Sequence, residues 1–516
     1  MLVGKVQDLS KQIIIPSVRL FSSSSSQPDS EYAAASVDYK TASPFNKIPV
    51  EPFRNLLIRY LQDKNYRQKY HLLFKELHEK HGPIFKLRIP GQQTSILLEH
   101  PEDVKHLLNN DGKNPIEPGF KFFVEYRQNL RKDLFPETAG LGGSQGEKWY
   151  EVRSKVQQDM LRPKSALFYI DEITEVSDDL LDLMVGGGTG DKEIVPDVSP
   201  FLYRWSLEAV CTIFLDTRIG GLDVNPSQDA KDMIRCSMIV LGPVVMKLTF
   251  GVPLWKLYRT KNLDDFDMAF ERMHIISSKF IAEAKKRFKT NNITDPDKMS
   301  VLQKLIHKCG PDSKIPEVMA IDALGAGIDT TGNTAAFLFY HLASNPVQQE
   351  ILYKEIKDKL GDEKLTPAIL NQMKYLKAVQ HESQRLMPVV SGFSRITQKD
   401  MVLGGYQIPT GTHVSFLSMG PMLSEKHFKN ADAFVPERWL RDCPQKHNAH
   451  PFAFIPFAHG ARMCIGRRFA ELEIQILAIQ TLRKYQLVYE GESPVEMLTE
   501  LLTKPDKPIP IRFIPR

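Results

Sequence analysis

Cys464 is the residue whose type and setting point most directly to chemistry. Apolar residues at positions 465, 469, 472, 476 and 479 follow it, and this spacing predicts an amphipathic helix. Its thiol would then lie at a helix N-terminus, where free amides and the helix dipole favour the thiolate. Arg462 adds a fixed positive charge, and Gly460 and Gly466 let the backbone turn tightly and approach a flat ligand. The pattern predicts an ionised thiol beside a flat bound molecule.

The remaining cysteines indicate no further chemistry. They are scattered at positions 211, 236, 309 and 443 and form no Cys-x-x-Cys pair. A lone cysteine is usually a small buried side chain. We therefore expect neither a disulfide framework nor a structural zinc site.

A second candidate site lies in residues 323–340, where Asp329 is the single charged residue. Three glycines, this acid and Asn333 argue against a membrane span and favour a buried core helix. A carboxyl group inside such a helix is costly and needs a functional reason. The neighbouring Thr330 offers a hydroxyl that can open the helical hydrogen-bond ladder and hold water.

Other charged residues carry little meaning by themselves. Glu382 and Arg385 are one helical turn apart, as solvated ion pairs often are. Arg438 lies downstream within Pro436–Trp439.

The elements that must position these residues are mainly helical. The segments 84–89 and 95–98, separated by Pro90-Gly91, predict a β-hairpin, and helical periodicity then dominates to about residue 385. Strand patterns return at 396–412, 486–489 and 509–513. With 42% apolar and 25% charged residues, the composition excludes a disordered, collagen-like or coiled-coil chain. We expect a mainly α protein with small β-sheets (α+β), built as a single large domain.

Residues 457–466 resemble the cysteine-ligand loop of the cytochrome P-450 superfamily, Phe-x-x-Gly-x-Arg-x-Cys-x-Gly, with Ala458 in place of the usual second residue, glycine. Residues 326–331 resemble the oxygen-activation motif on the central helix of that superfamily. Both motifs stand in the family's order, and the resemblance covers the chain from about residue 48 onward. It implies a haem-enclosing helical domain and a haem-dependent monooxygenase.

The resemblance also implies roles for individual residues. Asp329 and Thr330 would deliver protons to bound oxygen, with Gly327 leaving room for dioxygen. Glu382, Arg385 and Arg438 would form a buried network that fixes the segment before Cys464. The residues implied to hold haem b (iron protoporphyrin IX) are Cys464 as the iron ligand, Arg462, Arg395, Trp149 and Arg153 at the propionates, and Phe457, Gly460 and Gly466 in the loop.

The electron donor implied is an adrenodoxin-type [2Fe-2S] ferredoxin, itself reduced by an NADPH-dependent reductase. Arg467 and Arg468 look like the docking pair of the mitochondrial branch, and Lys374 and Lys377 fall where that branch has docking lysines. His381 stands where another lysine is frequent. A basic patch steers an acidic partner without a large interface. Alternatively, these residues are ordinary solvated cations.

The N-terminal residues predict targeting to mitochondria. Residues 1–26 carry three basic residues, one acid and a serine run, as transit peptides do, although a Ser-rich tail is the simpler alternative. We expect a transit peptide at 1–26, a linker at 27–47 and the catalytic domain at 48–516. No N-terminal apolar run is long enough for a membrane anchor.

The expected activity is hydroxylation of a lipophilic substrate with O2 at the matrix side of the inner mitochondrial membrane. The segments 238–246 and 254–259 are apolar with aromatic and basic flanks, which indicates either a membrane-surface contact or core packing. Resemblance to arthropod members favours an ecdysteroid-pathway steroid over foreign compounds. A haem-thiolate isomerase or sensor is a weaker alternative because Asp329 and Thr330 are both present. A net charge of +5 over 516 residues gives no indication of nucleic-acid binding.

Overall fold

The computed structural model describes residues 38–63, 68–186, 194–251, 253–291 and 295–516. The predicted transit peptide and most of the predicted linker lie outside these ranges. The helices are α1 Phe53–Gln62, α2 Tyr70–His81, α3 Pro101–Asn109, α4 Lys121–Glu125, α5 Gly146–Leu161, α6 Pro163–Leu167, α7 Ile170–Leu181, α8 Ser199–Phe214, α9 Gln228–Val240, α10 Pro243–Phe250, α11 Lys261–Asn291, α12 Val301–Cys309, α13 Ile315–Ser344, α14 Pro346–Lys359, α15 Pro367–Gln372, α16 Lys374–Leu386, α17 Met419–Met422 and α18 Arg467–Lys484.

Within the described ranges the strands form four small sheets. They are β1 Val50–Glu51, β2 Ile84–Leu87, β3 Ser95–Leu98, β4 Ile194–Val195, β5 Gly392–Ile396, β6 Met401–Leu403, β7 Tyr406–Ile408, β8 His413–Leu417, β9 Tyr485–Tyr489, β10 Met497–Thr499, β11 Thr503–Pro505 and β12 Ile511–Pro515. The largest sheet has the order β1-β2-β3-β8-β5, and β2 pairs with β3 antiparallel, as the sequence predicts for this hairpin. The others are β4-β12-β9, β6-β7 and β10-β11. The predicted fold class, mainly helical with small sheets, is confirmed.

The central element is α13, a helix of 30 residues. It begins with Ile315-Pro316, and proline suits a first turn because its missing N–H has no intrahelical partner there. Most of its side chains are buried on all sides, among them Leu324, Ile328 and Phe337. A helix that is apolar around its circumference belongs in a core, and α13 packs against α8, α9, α16 and α18. Among the described residues, no helix is long and apolar enough to cross a membrane.

Contacts between distant parts of the chain close the domain. Gln407 in β7 donates its backbone N–H to the Ser43 carbonyl at 2.8 Å, so the segment that precedes β1 lies against the β6–β7 hairpin. His71 in α2 and Thr499 in β10 form a side-chain hydrogen bond of 3.1 Å. Elements from the early and the late parts of the described chain therefore lie side by side.

Candidate active site

Backbone hydrogen bonds fix the loop that carries Cys464. The Cys464 amide donates to the Phe457 carbonyl at 2.9 Å, and the Met463 amide donates to the Gly460 carbonyl at 3.1 Å. Gly460 has a φ of +81°, a conformation that glycine adopts at little cost. The chain then enters α18 with Gly466 as the N-cap residue, so the thiol lies at a helix N-terminus, as the sequence predicts.

The thiol of Cys464 is both accessible and surrounded by protein. Its side chain is accessible to solvent. The surrounding protein nevertheless raises the pKa of the thiol above the usual range, because burial disfavours the charged form. Backbone N–H groups of Gly466 and Arg467, and the charge of Arg153, act in the opposite direction and favour the thiolate. These properties together describe a side chain that lines an internal cavity.

An accessible stripe interrupts the buried surface of α13. Its members are Ala323, Ala326, Gly327, Thr330 and Thr334, whose spacing of three and four residues places them on one helix face. Ala326 is exposed although it lies in the middle of the domain's central helix. The stripe is therefore a cavity wall, and its side chains are small or carry a hydroxyl.

Hydroxyl groups bind the carbonyls on this part of α13. Thr330 Oγ1 donates to the Ala326 carbonyl at 2.7 Å, and Thr334 Oγ1 donates to the Thr330 carbonyl at the same distance. From α8, Ser206 Oγ donates to the Ile328 carbonyl at 2.9 Å. Such bonds compete with the helical ladder and prepare a helix for local opening.

Asp329 lies on the buried side of α13 and is 6% exposed. Ser237 of α9 donates to its Oδ1 at 3.2 Å. Burial raises the pKa of the Asp329 carboxyl to about 6, while the hydrogen bond from Ser237 and the charge of Lys504 act to lower it. At near-neutral pH the carboxyl group can therefore both take up and release a proton.

Gly327 has a packing role beside the one that the resemblance implies. A Cβ atom at this position would lie 2.8 Å from Val210 Cγ2 in α8, closer than real Cβ contacts. The close packing of α13 on α8 therefore favours glycine here.

Two arginines and a tryptophan lie beside the cysteine loop. The Arg462 guanidinium carbon is 4.3 Å from the Trp149 ring centroid, and Arg462 donates to the Pro115 carbonyl and to Gln145 Oε1 at 3.1 and 2.7 Å. Arg153 donates to the Met463 carbonyl at 2.9 Å. Burial lowers the pKa of each guanidinium to about 10, so both remain cations at neutral pH.

Arg395 has a different environment, because two carboxylates already hold it. Its Nε donates to Asp111 and its Nη1 donates to Glu117, and the residue is 1% exposed. Its Nη2 is buried and has no hydrogen-bond partner among the described residues. Neither motif nor spacing in the sequence links Asp111 and Glu117 to Arg395, which lies 284 and 278 positions later.

The residues present fit a haem. The buried Nε of Arg153 and Nη2 of Arg395 lack protein partners, as donors reserved for a carboxylated ligand would. Gly466 has an ordinary φ of −83°, and a Cβ there would meet only Cys464 Sγ, at 3.9 Å. The chain's own packing therefore does not require glycine at 466, whereas a flat ligand against the loop would. A thiolate is a known haem ligand.

Glu382, Arg385 and Arg438 form one buried network. Arg385 donates two hydrogen bonds to Glu382, at 3.0 and 2.8 Å, and Arg438 donates a third at 3.0 Å. Arg385 also binds the carbonyls of Met422 and Ala431. The network thus connects α16 to the segment that leads to the cysteine loop.

The four predicted docking residues occur at the starts of two helices, α16 and α18. Lys374 and Arg468 are exposed, whereas Lys377 and Arg467 are partly buried. Glu471 accepts hydrogen bonds from Arg467 at 2.7 Å and from Arg468 at 3.4 Å. Glu471 lies four and three residues after these arginines on one helix, so the sequence spacing could have indicated this partner.

His381 differs from the docking lysine that the resemblance places at its position. Its ring packs against Trp439 and Phe454, with centroid distances of 5.3 and 5.5 Å. Burial lowers the pKa of His381, so the imidazole is neutral at neutral pH.

A helical domain with a cysteine loop, two adjacent arginines and an accessible stripe on its central helix defines a haem-thiolate protein. Comparison with known proteins gives the family. The cytochrome P450 family model matches residues 49–513, and the chain belongs to this family of haem monooxygenases, which use O2 and an external electron donor. The predicted family and enzyme class are confirmed.

Several curated proteins are similar over most of their length. "Cytochrome P450 CYP12A2" of Musca domestica is 30% identical over 506 residues, 94% of this chain and 93% of that protein. "Probable cytochrome P450 301a1, mitochondrial" of Drosophila melanogaster is 31% identical over 445 residues, 84% and 79% of the two chains. "Sterol 26-hydroxylase, mitochondrial" of Rattus norvegicus is 30% identical over 461 residues, 85% and 83%.

Proposed function

We propose that this chain is a mitochondrial monooxygenase that hydroxylates a steroid, using O2 and electrons from a ferredoxin. The accessible stripe on α13, together with the accessible thiol of Cys464, is the observation that carries the proposal. Both describe walls of an internal cavity, and α13 and α18 pack together. The mitochondrial location and the steroid substrate are supported by the similarity to mitochondrial relatives, which include a mitochondrial sterol hydroxylase.

In this proposal Cys464 Sγ would bind the haem iron, and Arg462, Arg153 and Trp149 would hold the carboxylates of the haem. Arg395 is assigned to the same carboxylates through its free Nη2. Phe457, Gly460 and Gly466 shape the loop against the ring. The bound haem supplies dioxygen activation and insertion of one oxygen atom into a substrate C–H bond.

The protein's own contribution on the opposite wall is proton transfer. The Asp329 carboxyl, with its pKa raised to about 6, takes a proton from the side of Ser237 and Lys504. Thr330 Oγ1 lies on the path of that proton at the cavity wall, and its hydroxyl donates a hydrogen bond to the Ala326 carbonyl. A group whose pKa lies near the working pH is well suited to this task.

The substrate pocket is assigned to three segments that meet the cavity: 323–324 of α13, 389–393 before and within β5, and 498–502 at the β10–β11 hairpin. Their apolar side chains include Phe393, Leu498 and Leu502, each partly accessible. A cavity with such a lining selects lipophilic molecules, and a few polar groups then fix their orientation.

Lys374, Lys377, Arg467 and Arg468 are assigned to ferredoxin docking. Two of the four, the arginines, share Glu471, so their positive charge is partly offset. The two lysines therefore carry much of the steering charge. Reversing Lys377 to Glu should raise the KM for ferredoxin and make that KM less dependent on salt, while leaving substrate binding unchanged.

The test of the substrate is an optical titration of the ferric holoprotein with steroids and with lipophilic foreign compounds. Substrate binding displaces water from the haem and changes its absorption. Tight shifts with one steroid, followed by turnover with ferredoxin and its reductase, would support the proposal. Broad, weak shifts with foreign compounds and none with steroids would instead favour detoxification.

A further inference from the structure

Loop 111–117 encloses the guanidinium of Arg395. Asp111 accepts from Nε on one side, and Glu117 accepts from Nη1 on the other. The Ile396 amide also donates to the Ile116 carbonyl at 3.1 Å, which ties the loop to strand β5. An arginine binds a carboxylate best through two parallel N–H groups. On Arg395, Nη1 donates to the Glu117 carboxylate and to the Ser394 carbonyl, the latter at 2.7 Å, whereas Nη2 is open.

Glu117 is held by donors other than Arg395. Its Oε1 accepts hydrogen bonds from the Ser394 amide at 3.1 Å, from the Ser394 hydroxyl and from the Gly119 amide at 3.3 Å. For Asp111, by contrast, Arg395 is the one side-chain donor among the described residues. Glu117 can therefore release Nη1 without becoming an unpaired buried charge, and Asp111 cannot.

We propose that Glu117 and one haem carboxylate compete for the same N–H groups of Arg395, and that Glu117 thereby limits how firmly the chain retains haem. This inference rests on the proposed function, in which Arg395 faces a haem carboxylate. Glu117 is a positioning residue: it touches Arg395, and it acts on the cofactor through that side chain.

The local charges favour the same conclusion. Asp111 and Glu117 lie within electrostatic range of Arg462 as well as Arg395, and Arg153 is the third cation. A haem brings two further carboxylates, so four acids then share three arginines. Each added negative charge near the iron disfavours the electron that reduces it. Glu117 should therefore also hold the reduction potential at a more negative value.

The experiment uses the holoprotein and its Glu117→Gln variant, which keeps the size and one acceptor but removes the charge. Haem loss is followed as transfer to excess apomyoglobin, and the reduction potential by spectroelectrochemistry. Loss of one charged hydrogen-bond competitor is worth about 1.5 kcal/mol, which corresponds to roughly tenfold slower haem loss. The potential should become more positive.

Asp111→Asn is the matched control because it removes the same charge from the same guanidinium, but at Nε. It should raise the potential without slowing haem loss. Equal slowing in both variants would mean that charge alone acts, and would overturn the inference. Unchanged or faster haem loss in Glu117→Gln would also overturn it.

Glu117→Asp provides a second variant if the glutamine variant fails to fold. The shorter side chain keeps the charge but withdraws from Nη1, so haem loss should slow at a nearly constant potential; unchanged haem loss contradicts the inference. Failure of the proposed function has a different signature. In that case the wild-type ferrous–carbonyl spectrum would lack the thiolate band, irrespective of Glu117.

Discussion

Thr330 and Thr334 have the same local geometry, each donating to the carbonyl four residues earlier, but they lie one turn apart on α13. If Thr330 serves the proton path, Thr330→Ala should divert electrons to hydrogen peroxide and lower product formed per electron by roughly 100-fold, the usual worth of a positioned proton donor. The haem spectrum should stay normal.

Thr334→Ala provides the matched control and should keep most of the coupling. The measurement is product and peroxide formed per NADPH consumed. Unchanged coupling in Thr330→Ala would remove that residue from the proton path.

Asp329 should reduce stability at the pH where it works. Its folded pKa, about 6, is above the value of 3.8 for a free carboxyl, so the folded state favours the protonated form. The penalty is absent below the unfolded pKa, grows as the pH rises through 6, and reaches about 3 kcal/mol above it. Asp329→Asn should therefore stabilise the protein by about 3 kcal/mol at pH 8 and by only about 1 kcal/mol at pH 4.5. Thermal unfolding of both proteins at the two pH values is the measurement, and an equal effect at both would contradict the assignment.

Ala458 has a φ of +56°, in the left-handed region, at the position where the sequence departs from the family's glycine. That conformation destabilises the folded state of a residue with a Cβ by about 1–2 kcal/mol. Glycine avoids this strain, but its greater conformational entropy in the unfolded state offsets about 0.5–1 kcal/mol of the gain. Ala458→Gly should therefore stabilise the holoprotein by up to about 1 kcal/mol. Ala461, in the same loop, is outside the left-handed region, so Ala461→Gly should destabilise it. Thermal unfolding of both variants tests the assignment.

At the scale of elements, Glu382 holds α16 to the segment before the cysteine loop. The pKa of Glu382 is lowered because two arginines and the Val435 amide donate to it, although burial acts to raise it. Glu382→Gln would leave Arg385 and Arg438 as buried cations without a counter-charge, at a cost of about 3–5 kcal/mol. We expect loss of haem and of stability in thermal unfolding.

The comparison is Asp171→Asn at the exposed pair with Lys364, where a change of no more than about 1 kcal/mol is expected. Similar losses of stability in the two variants would show that the buried network does not stabilise the protein more than an exposed ion pair does.

Sequence patterns predicted the elements whose signals are local. The β2–β3 hairpin, α13 and the helix after Cys464 were all predicted, because alternation, helical periodicity and one ten-residue motif specify them. The pairing of Arg395 with Asp111 and Glu117 was not, since ion pairs between residues far apart leave no periodic trace. The packing role of Gly327 was missed for a similar reason, since its neighbour, Val210, lies on another helix.

At the scale of the whole molecule, the segment after α10 presents an apolar surface. Leu257 is 83% exposed, and Leu254 and Tyr258 are also exposed, while Trp255 packs on Phe122. The sequence left membrane contact and core packing open, and the segment contains side chains of both kinds. We propose that the exposed ones contact the inner membrane from the matrix side.

Leu254→Ser with Leu257→Ser should weaken binding to anionic phospholipid vesicles at least tenfold, because each leucine contributes about 1.5–3 kcal/mol when buried. Val224 is exposed to the same extent as Leu257, so Val224→Ser is the control for loss of an apolar side chain elsewhere. Co-sedimentation with vesicles measures both. Equal loss in the control would exclude this segment as the contact.

The side-by-side contact of α2 and β10 also has a consequence for biosynthesis. The hydrogen bond between His71 and Thr499 cannot form until Thr499 has been synthesised. A ribosome that adds about 5–20 residues per second needs roughly 20–90 s to make the intervening chain. During that time α2 has β2 and β3 as neighbours but not β10, and the main core, which joins α4 to β12, is incomplete and exposes apolar surface. The nascent protein should therefore be a long-lived client of chaperones, which would hold it until the last strands are synthesised.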